Sequence, residues 1–269
     1  MVDLSSELKA FSHLDYLDSL AIDAGDAIME VYQKDIGVQY KLDHSPLTEA
    51  DLSANRVILK GLKKTYPDVP ILTEEGVGDF KGPNNEGYYW LIDPLDGTKE
   101  FIKGNGEFTV NIALIHQGEP ILGIVYAPAK NIIYRGALGF GAFKREGMEP
   151  IKAIGVVKHV PGSTWKVAGS RSHTDAATNE WLKALGSYTL ISMGSSLKMC
   201  LIAEGVADIY PRLGLTSLWD TAAAHIILKE AGGEIRDLEG GILNYANPMR
   251  VLNPFFIASS EKDFVQHES

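Results

Sequence analysis

Trp90-Leu91-Ile92-Asp93-Pro94-Leu95-Asp96-Gly97-Thr98 is the most informative stretch of the chain. Aromatic and β-branched residues dominate from Tyr88 to Ile92, which favours an extended strand, and that strand runs straight into two aspartates separated by two residues. A Pro turn followed by Gly fixes where both carboxylates point. Hard divalent cations take oxygen ligands, and magnesium binds through a few carboxylates while keeping water. Asp93 and Asp96 are therefore candidates to share or divide such ions. The N–H groups of Gly97 and Thr98 suit a phosphate, as helix N-termini do. Asp, Pro and Gly are also ordinary turn residues, so the rest of the chain must separate a metal site from a turn.

Upstream, Leu14, Leu17, Leu20, Ala21, Ala24, Ile28 and Val31 recur at the three- and four-residue steps of one apolar helix face. A second helix is expected from about Thr48 to Tyr66, because Pro67 cannot continue it. Asp51 stands three residues after Thr48, where an acid caps a helix start, and capping alone accounts for it. Glu74-Glu75 follows the apolar Val69-Pro70-Ile71-Leu72. On an extended chain neighbours point to opposite sides, so only one of the two glutamates is expected to face a shared site.

Downstream, apolar stretches from Phe108 to Phe143 alternate with Gly118, Gly123, Pro128 and Gly136, the pattern of an antiparallel meander. After Gly162 the reading alternates: strand 166–168, helix 175–185, strand 188–192, helix 196–204, strand 207–211, helix 218–231, strand 255–258. That alternation predicts a layered α/β second half. Asp220 falls in Trp219-Asp220-Thr221-Ala222-Ala223-Ala224, at the expected first turn of an alanine-rich helix closed by Gly232-Gly233, where the helix dipole alone favours an acid. No repeat or long linker divides the chain, so residues 1–269 are expected to form one catalytic unit whose two lobes meet near 144–162.

With 35 acidic against 25 basic residues, the formal charge of -10 opposes binding to nucleic acid polymers. An anionic substrate has to be drawn in by metal ions or by a local basic pocket. The single cysteine, Cys200, cannot form an internal disulfide and favours a reducing compartment, the cytoplasm. No leader or membrane-spanning run is apparent, which leaves peripheral attachment at the inner face of the cell membrane open. No G-x-x-x-x-G-K loop, H-E-x-x-H helix or G-x-S-x-G elbow is present, and Gly104-Asn105-Gly106 lacks the third glycine of a dinucleotide fingerprint.

Asp51, Glu74-Glu75, Asp93-Pro94-Leu95-Asp96-Gly97-Thr98 and Trp219-Asp220, in this order, resemble the inositol monophosphatase superfamily of lithium-sensitive, magnesium-dependent phosphatases. The resemblance spans nearly the whole chain. It implies a mixed α/β and α+β fold with layered α/β/α/β/α architecture. It also implies one Mg2+ held by Glu74, Asp93 and the carbonyl of Leu95, and a second held by Asp93, Asp96 and Asp220. Thr98 and Asp51 would orient and deprotonate the attacking water.

Within that superfamily the second half is most similar to the branch that cleaves 3'(2'),5'-bisphosphate nucleotides, through Ser172-His173-Thr174-Asp175, Gly194-Ser195-Ser196-Leu197-Lys198 and Tyr210-Pro211-Arg212. Carried over, Gly97, Thr98, His173, Ser195, Lys198, Arg212 and Asp220 would contact the substrate. The inositol-cleaving branch usually places a glutamate near Arg212, whereas a bisphosphate has a second phosphate for Lys198 and Arg212 to bind through charge-assisted hydrogen bonds. The expected reaction is hydrolysis of adenosine 3',5'-bisphosphate to AMP and phosphate. Inositol monophosphatase or fructose-1,6-bisphosphatase activity is the alternative within enzymes. A noncatalytic nucleotide- or metal-binding regulator is the alternative outside them. Oligomeric state is not legible in the sequence.

Overall fold

The computed structural model describes residues 6–33, 38–40, 46–170, 176–262 and 264. The chain opens with α1 (Glu7–Tyr32), a short antiparallel pair β1 (Val38–Tyr40) and β2 (Pro46–Thr48), and α2 (Glu49–Thr65). Then follow β3 (Ile71–Thr73), β4 (Tyr88–Asp96), the one-turn α3 (Thr98–Ile102), β5 (Thr109–His116), β6 (Glu119–Ala127), β7 (Ile132–Ala137), β8 (Gly141–Glu146) and β9 (Lys152–Ile154). These seven strands form one sheet in chain order, antiparallel except where β3 runs parallel to β4.

The second half supplies β10 (Trp165–Gly169), α4 (Ala176–Leu185), β11 (Tyr188–Ser192), α5 (Leu197–Ala203), β12 (Ile209–Arg212), α6 (Ala222–Glu230), β13 (Glu234–Asp237) and β14 (Phe256–Ser259). Its five-stranded sheet has the order β11-β10-β12-β14-β13. The first sheet ends at Ile154 and the second begins at Trp165.

Three apolar clusters stack these parts. α1 and α2 bury Leu14, Leu17, Ile28, Ile58 and Leu62 against Trp90, Ile92, Val110, Ile112 and Leu114 on one face of the large sheet. On its other face Tyr89, Leu91, Ala113 and Ile115 meet α5, α6 and the second sheet. α4 covers the outer side of the second sheet through Leu182 against Val167 and Ile209. The order is thus α/β/α/β/α. Because helices cover both faces, β5 reads as a nearly continuous apolar run rather than an alternating one. Cys200 is buried on α5 inside the shared core.

Two glycines expected as breaks in the meander prove to be strand residues. Gly123 on β6 pairs with Gly136 on β7, and a Cβ on Gly123 would come within 2.4 Å of the Ala223 carbonyl of α6. They form the groove in which α6 lies. Gly118, at φ 84°, and Pro128, which opens the 3-10 turn Pro128–Lys130 between β6 and β7, make breaks of the kind anticipated. β9 and β13 were not expected; both are short, and neither carries a run of apolar residues.

Candidate active site

β4 brings the first two acids together by breaking its own register. Residues Tyr89, Leu91 and Asp93 share one face, since side chains alternate along a strand, and that face looks toward α5 and α6. Strict alternation would send Asp96 to the opposite face. Instead Asp93 pairs with Asn111 and Asp96 with Thr109, so three steps on β4 oppose two on β5. This β-bulge at Pro94-Leu95 reverses the parity. Leu95 is turned into the α1–α2 core, and Asp96 returns to the side of Asp93. Gly97, at φ 91°, then swings the chain into α3, a backbone setting in which a side chain is strained.

Asp220 arrives from the second half. It is the last residue of a 3-10 turn, Leu218–Asp220, that precedes α6, not part of the first turn of α6 itself. Ser217 N–H donates to its carboxylate at 2.9 Å. One oxygen each of Asp93, Asp96 and Asp220 lie within 4.8 Å of one another. Glu74 begins a 3-10 helix, Glu74–Asp79, so alternation along an extended strand does not apply to Glu74-Glu75. The charge of Glu74 acts on both Asp93 and Asp220. Asp51 does cap α2: Thr48 N and Thr48 Oγ1 donate to its Oδ2 at 2.8 and 2.6 Å. Its other oxygen faces Thr98 Oγ1 at 3.4 Å, which also lies 3.4 Å from the Leu95 carbonyl. Asp51 therefore caps α2 and faces Thr98 at once.

The cleft above this cluster has a volume of about 190 Å3, and its lining includes Asp96, Gly97, Ser195, Lys198, Arg212 and Asp220. Lys198 is not a surface cation. It is 8 % exposed, donates from Nζ to Ser195 O at 2.7 Å and lies 5.3 Å from the centre of the Tyr210 ring. Arg212, at the end of β12, donates to Leu215 O at 2.9 Å, and its positive charge acts on Asp220. His173 lies outside the described residues.

Ser196, next to the expected substrate contact Ser195, has a role not legible in the sequence. Its N–H and Oγ both lie 2.7 Å from Asp96 Oδ2, and Oγ is also 2.7 Å from the Asp220 carbonyl. Asn111 on β5 completes the group, with Nδ2 at 2.9 Å from Ser196 Oγ. A Ser-Ser pair at a helix start does not reveal which hydroxyl meets Asp96; both are buried. Lys99 of α3 and Lys103, the residue just after that helix, also line the cleft and were not anticipated.

Burial, then the charges of Glu74, Asp96 and Asp220, push Asp93 well above the usual carboxylate range. Desolvation first, then Asp96 and Glu74, raise Asp220 to about 8, against opposing hydrogen bonding from Ser217 and the charge of Arg212. A carboxyl raised on folding stabilises the native state while it is protonated, and that stabilisation is lost as pH rises from about 4, its unfolded value, through the folded value. In chelator, the protein is therefore expected to melt at a lower temperature at pH 8 than at pH 5, by about 5 °C or more for shifts of this size. In Asp220→Asn that difference should shrink; thermal melts at both pH values check it, and an unchanged difference would refute the assigned cause.

An acidic cluster of this kind, with buried oxygen donors and nearby hydroxyls and amides to orient them, has the chemistry of a hard-cation site. The Inositol monophosphatase family profile matches residues 12–267, and the chain belongs to that family, whose enzymes depend on metal. It is 49% identical over 251 residues to the 3'(2'),5'-bisphosphate nucleotidase CysQ of Escherichia coli K12, covering 91% of this chain and 99% of that one. Among solved structures, CysQ of Bacteroides thetaiotaomicron superposes with a TM-score of 0.79 at 35% identity, over 96% of this chain and 100% of that one. The IMPase of Thermotoga maritima gives 0.76 at 28% identity, over 93% and 92%. Among the described residues no helix is long and apolar enough to cross a membrane.

Proposed function

We propose that this chain hydrolyses adenosine 3',5'-bisphosphate to AMP and phosphate with Mg2+ as cofactor, acting as one catalytic unit. The observation that carries the reading is the meeting, in one cleft, of an acidic cluster that includes Asp96 and Asp220 with Lys198 and Arg212. A cluster of carboxylates repels a phosphate, so a substrate needs both bound cations and fixed positive groups. The nucleotidase names of the relatives support the same substrate.

In this reading Glu74, Asp93, the Leu95 carbonyl, Asp96 and Asp220 hold the metal. Bound Mg2+ supplies the charge that stabilises the transferring phosphoryl group and makes water a better nucleophile near neutral pH. Thr98 Oγ1 orients the attacking water and Asp51 takes its proton, consistent with their 3.4 Å approach. Backbone N–H groups at Gly97 and Thr98 receive the phosphate that is cleaved. The water oxygen bonds to phosphorus as the bond to the 3'-oxygen breaks, and that oxygen takes a proton from solvent water to leave as the 3'-hydroxyl of AMP. Lys198 and Arg212 hold the phosphate that stays, with Ser195 beside them and His173 as a further substrate contact.

Phosphate release with Mg2+ from adenosine 3',5'-bisphosphate, inositol 1-phosphate and fructose-1,6-bisphosphate tests the assignment. The nucleotide should give a kcat/KM at least about tenfold above the others, or roughly 1.4 kcal/mol in transition-state stabilisation. Lithium chloride should inhibit where sodium chloride at the same ionic strength does not. Preference for either sugar phosphate would overturn the substrate, and no release from any ester would favour a regulator.

A further inference from the structure

The turn that carries Asp220 is closed by its own bonds, Asp220 N–H to Ser217 O at 3.1 Å and the Ser217–Asp220 capping box, but its place in the fold is set from outside. Its carboxylate takes its height from the Ser217 N–H, so its place depends on where the backbone of residues 216–221 sits. That backbone is gripped by the stretch before β14. Leu218 N–H donates to Val251 O at 2.8 Å, Asn253 N–H to Thr216 O at 2.9 Å, and Ser217 and Leu252 form an isolated antiparallel bridge.

The side chain of Asn253 completes the grip. The residue is 6 % exposed, and its Nδ2 lies 2.6 Å from Ser217 O and 3.2 Å from both Thr216 Oγ1 and Thr221 Oγ1. A carbonyl only accepts, so the amide must present an N–H to Ser217. Thr221 Oγ1 itself donates to Leu218 O and accepts from Tyr245 OH, at 3.1 Å each. One amide thus touches Thr216 and Thr221, which bracket the turn, and Ser217, whose N–H holds the Asp220 carboxylate. Its own Oδ1 is buried with no hydrogen-bond partner, a cost that a residue serving only to fill space would avoid.

We propose that Asn253 is a positioning residue for Asp220: its amide holds residues 216–221 so that the Asp220 carboxylate reaches Asp93 and Asp96. The inference rests on the reading of Asp220 as a metal ligand. Mg2+ binding by calorimetry, together with the Mg2+ dependence of phosphate release and thermal melts, tests it in wild type, Asn253→Ala, Asn253→Ser, Asp220→Asn and Tyr245→Phe. Removal of an outer partner of a ligand typically weakens metal affinity about 10–100-fold, and both Asn253 variants should fall in that range. Their half-maximal Mg2+ should rise in parallel, with kcat recovering at saturating metal and the KM for nucleotide unmoved. Tyr245→Phe, which removes one bond to Thr221 but leaves Asn253 and Ser217 held, should lower the melting temperature without shifting Mg2+ binding.

If Asp220→Asn binds Mg2+ like wild type, the ligand reading fails. If Asp220→Asn weakens binding and the Asn253 variants do not, the positioning role alone fails. Failure of both Asn253 variants to fold would also overturn it, since the amide would then serve the fold as a whole.

Discussion

Replacing Asp96 by Asn is expected to lower kcat by at least about a thousandfold, equivalent to roughly 4 kcal/mol, while the fold stays intact. The carboxylate stands at the crossing of both halves: its Oδ2 receives Ser196 N–H and Oγ at 2.7 Å each. An amide oxygen in the same place can accept those bonds, so shape and contacts survive. What is lost is a negative charge from the group that faces Asp220. In metal-free protein that loss relieves repulsion, since Asp96 raises the pKa of both Asp93 and Asp220. The variant should therefore melt no lower than wild type in chelator at pH 8, and Mg2+ should raise its melting temperature less. Circular dichroism, melts with and without Mg2+, and phosphate release measured on one preparation check this together. Wild-type turnover would end the assignment of Asp96 to the metal.

The second large effect concerns substrate choice. Arg212→Glu should cut kcat/KM for adenosine 3',5'-bisphosphate by at least about tenfold, roughly 1.4 kcal/mol of transition-state stabilisation, and affect a nucleoside monophosphate much less. The exchange sets repulsion against the phosphate that is not cleaved. Because the Arg212 charge also acts on Asp220, Arg212→Gln should accompany it: loss of the attraction without new repulsion should keep the selectivity change at smaller size. Equal losses on both substrates in both variants would mean that Arg212 supports the acidic centre instead. No change on either would leave Arg212 without a role in substrate choice.

Much of this protein is legible along the chain because it depends on neighbours in sequence. The apolar spacing of α1, the Thr48 start and Pro67 stop of α2, and the strand running into Asp93 are local signals, and the helices and strand formed where those signals lie. The acids, too, are visible as residue types. Their convergence is not, since Asp93 and Asp220 are brought together by two different halves of the fold.

Tertiary structure decided the rest through three physical effects. The first is parity: two residues three apart on a strand point to opposite faces, and only the bulge opposite Thr109 and Asn111 puts Asp93 and Asp96 on one side. The second is close approach. Gly123 and Gly136 carry the same turn signal as Gly118, yet they serve a helix that arrives from the second half and would collide with a Cβ. The third is hydrogen bonding between distant segments, which ties Ser196 to Asp96 and brings Asn253 to the Asp220 turn. A sequence read along its length determines what each residue can donate, accept or bury; which partner it meets is a property of packing, because partners far apart in the chain are chosen only when the layers close.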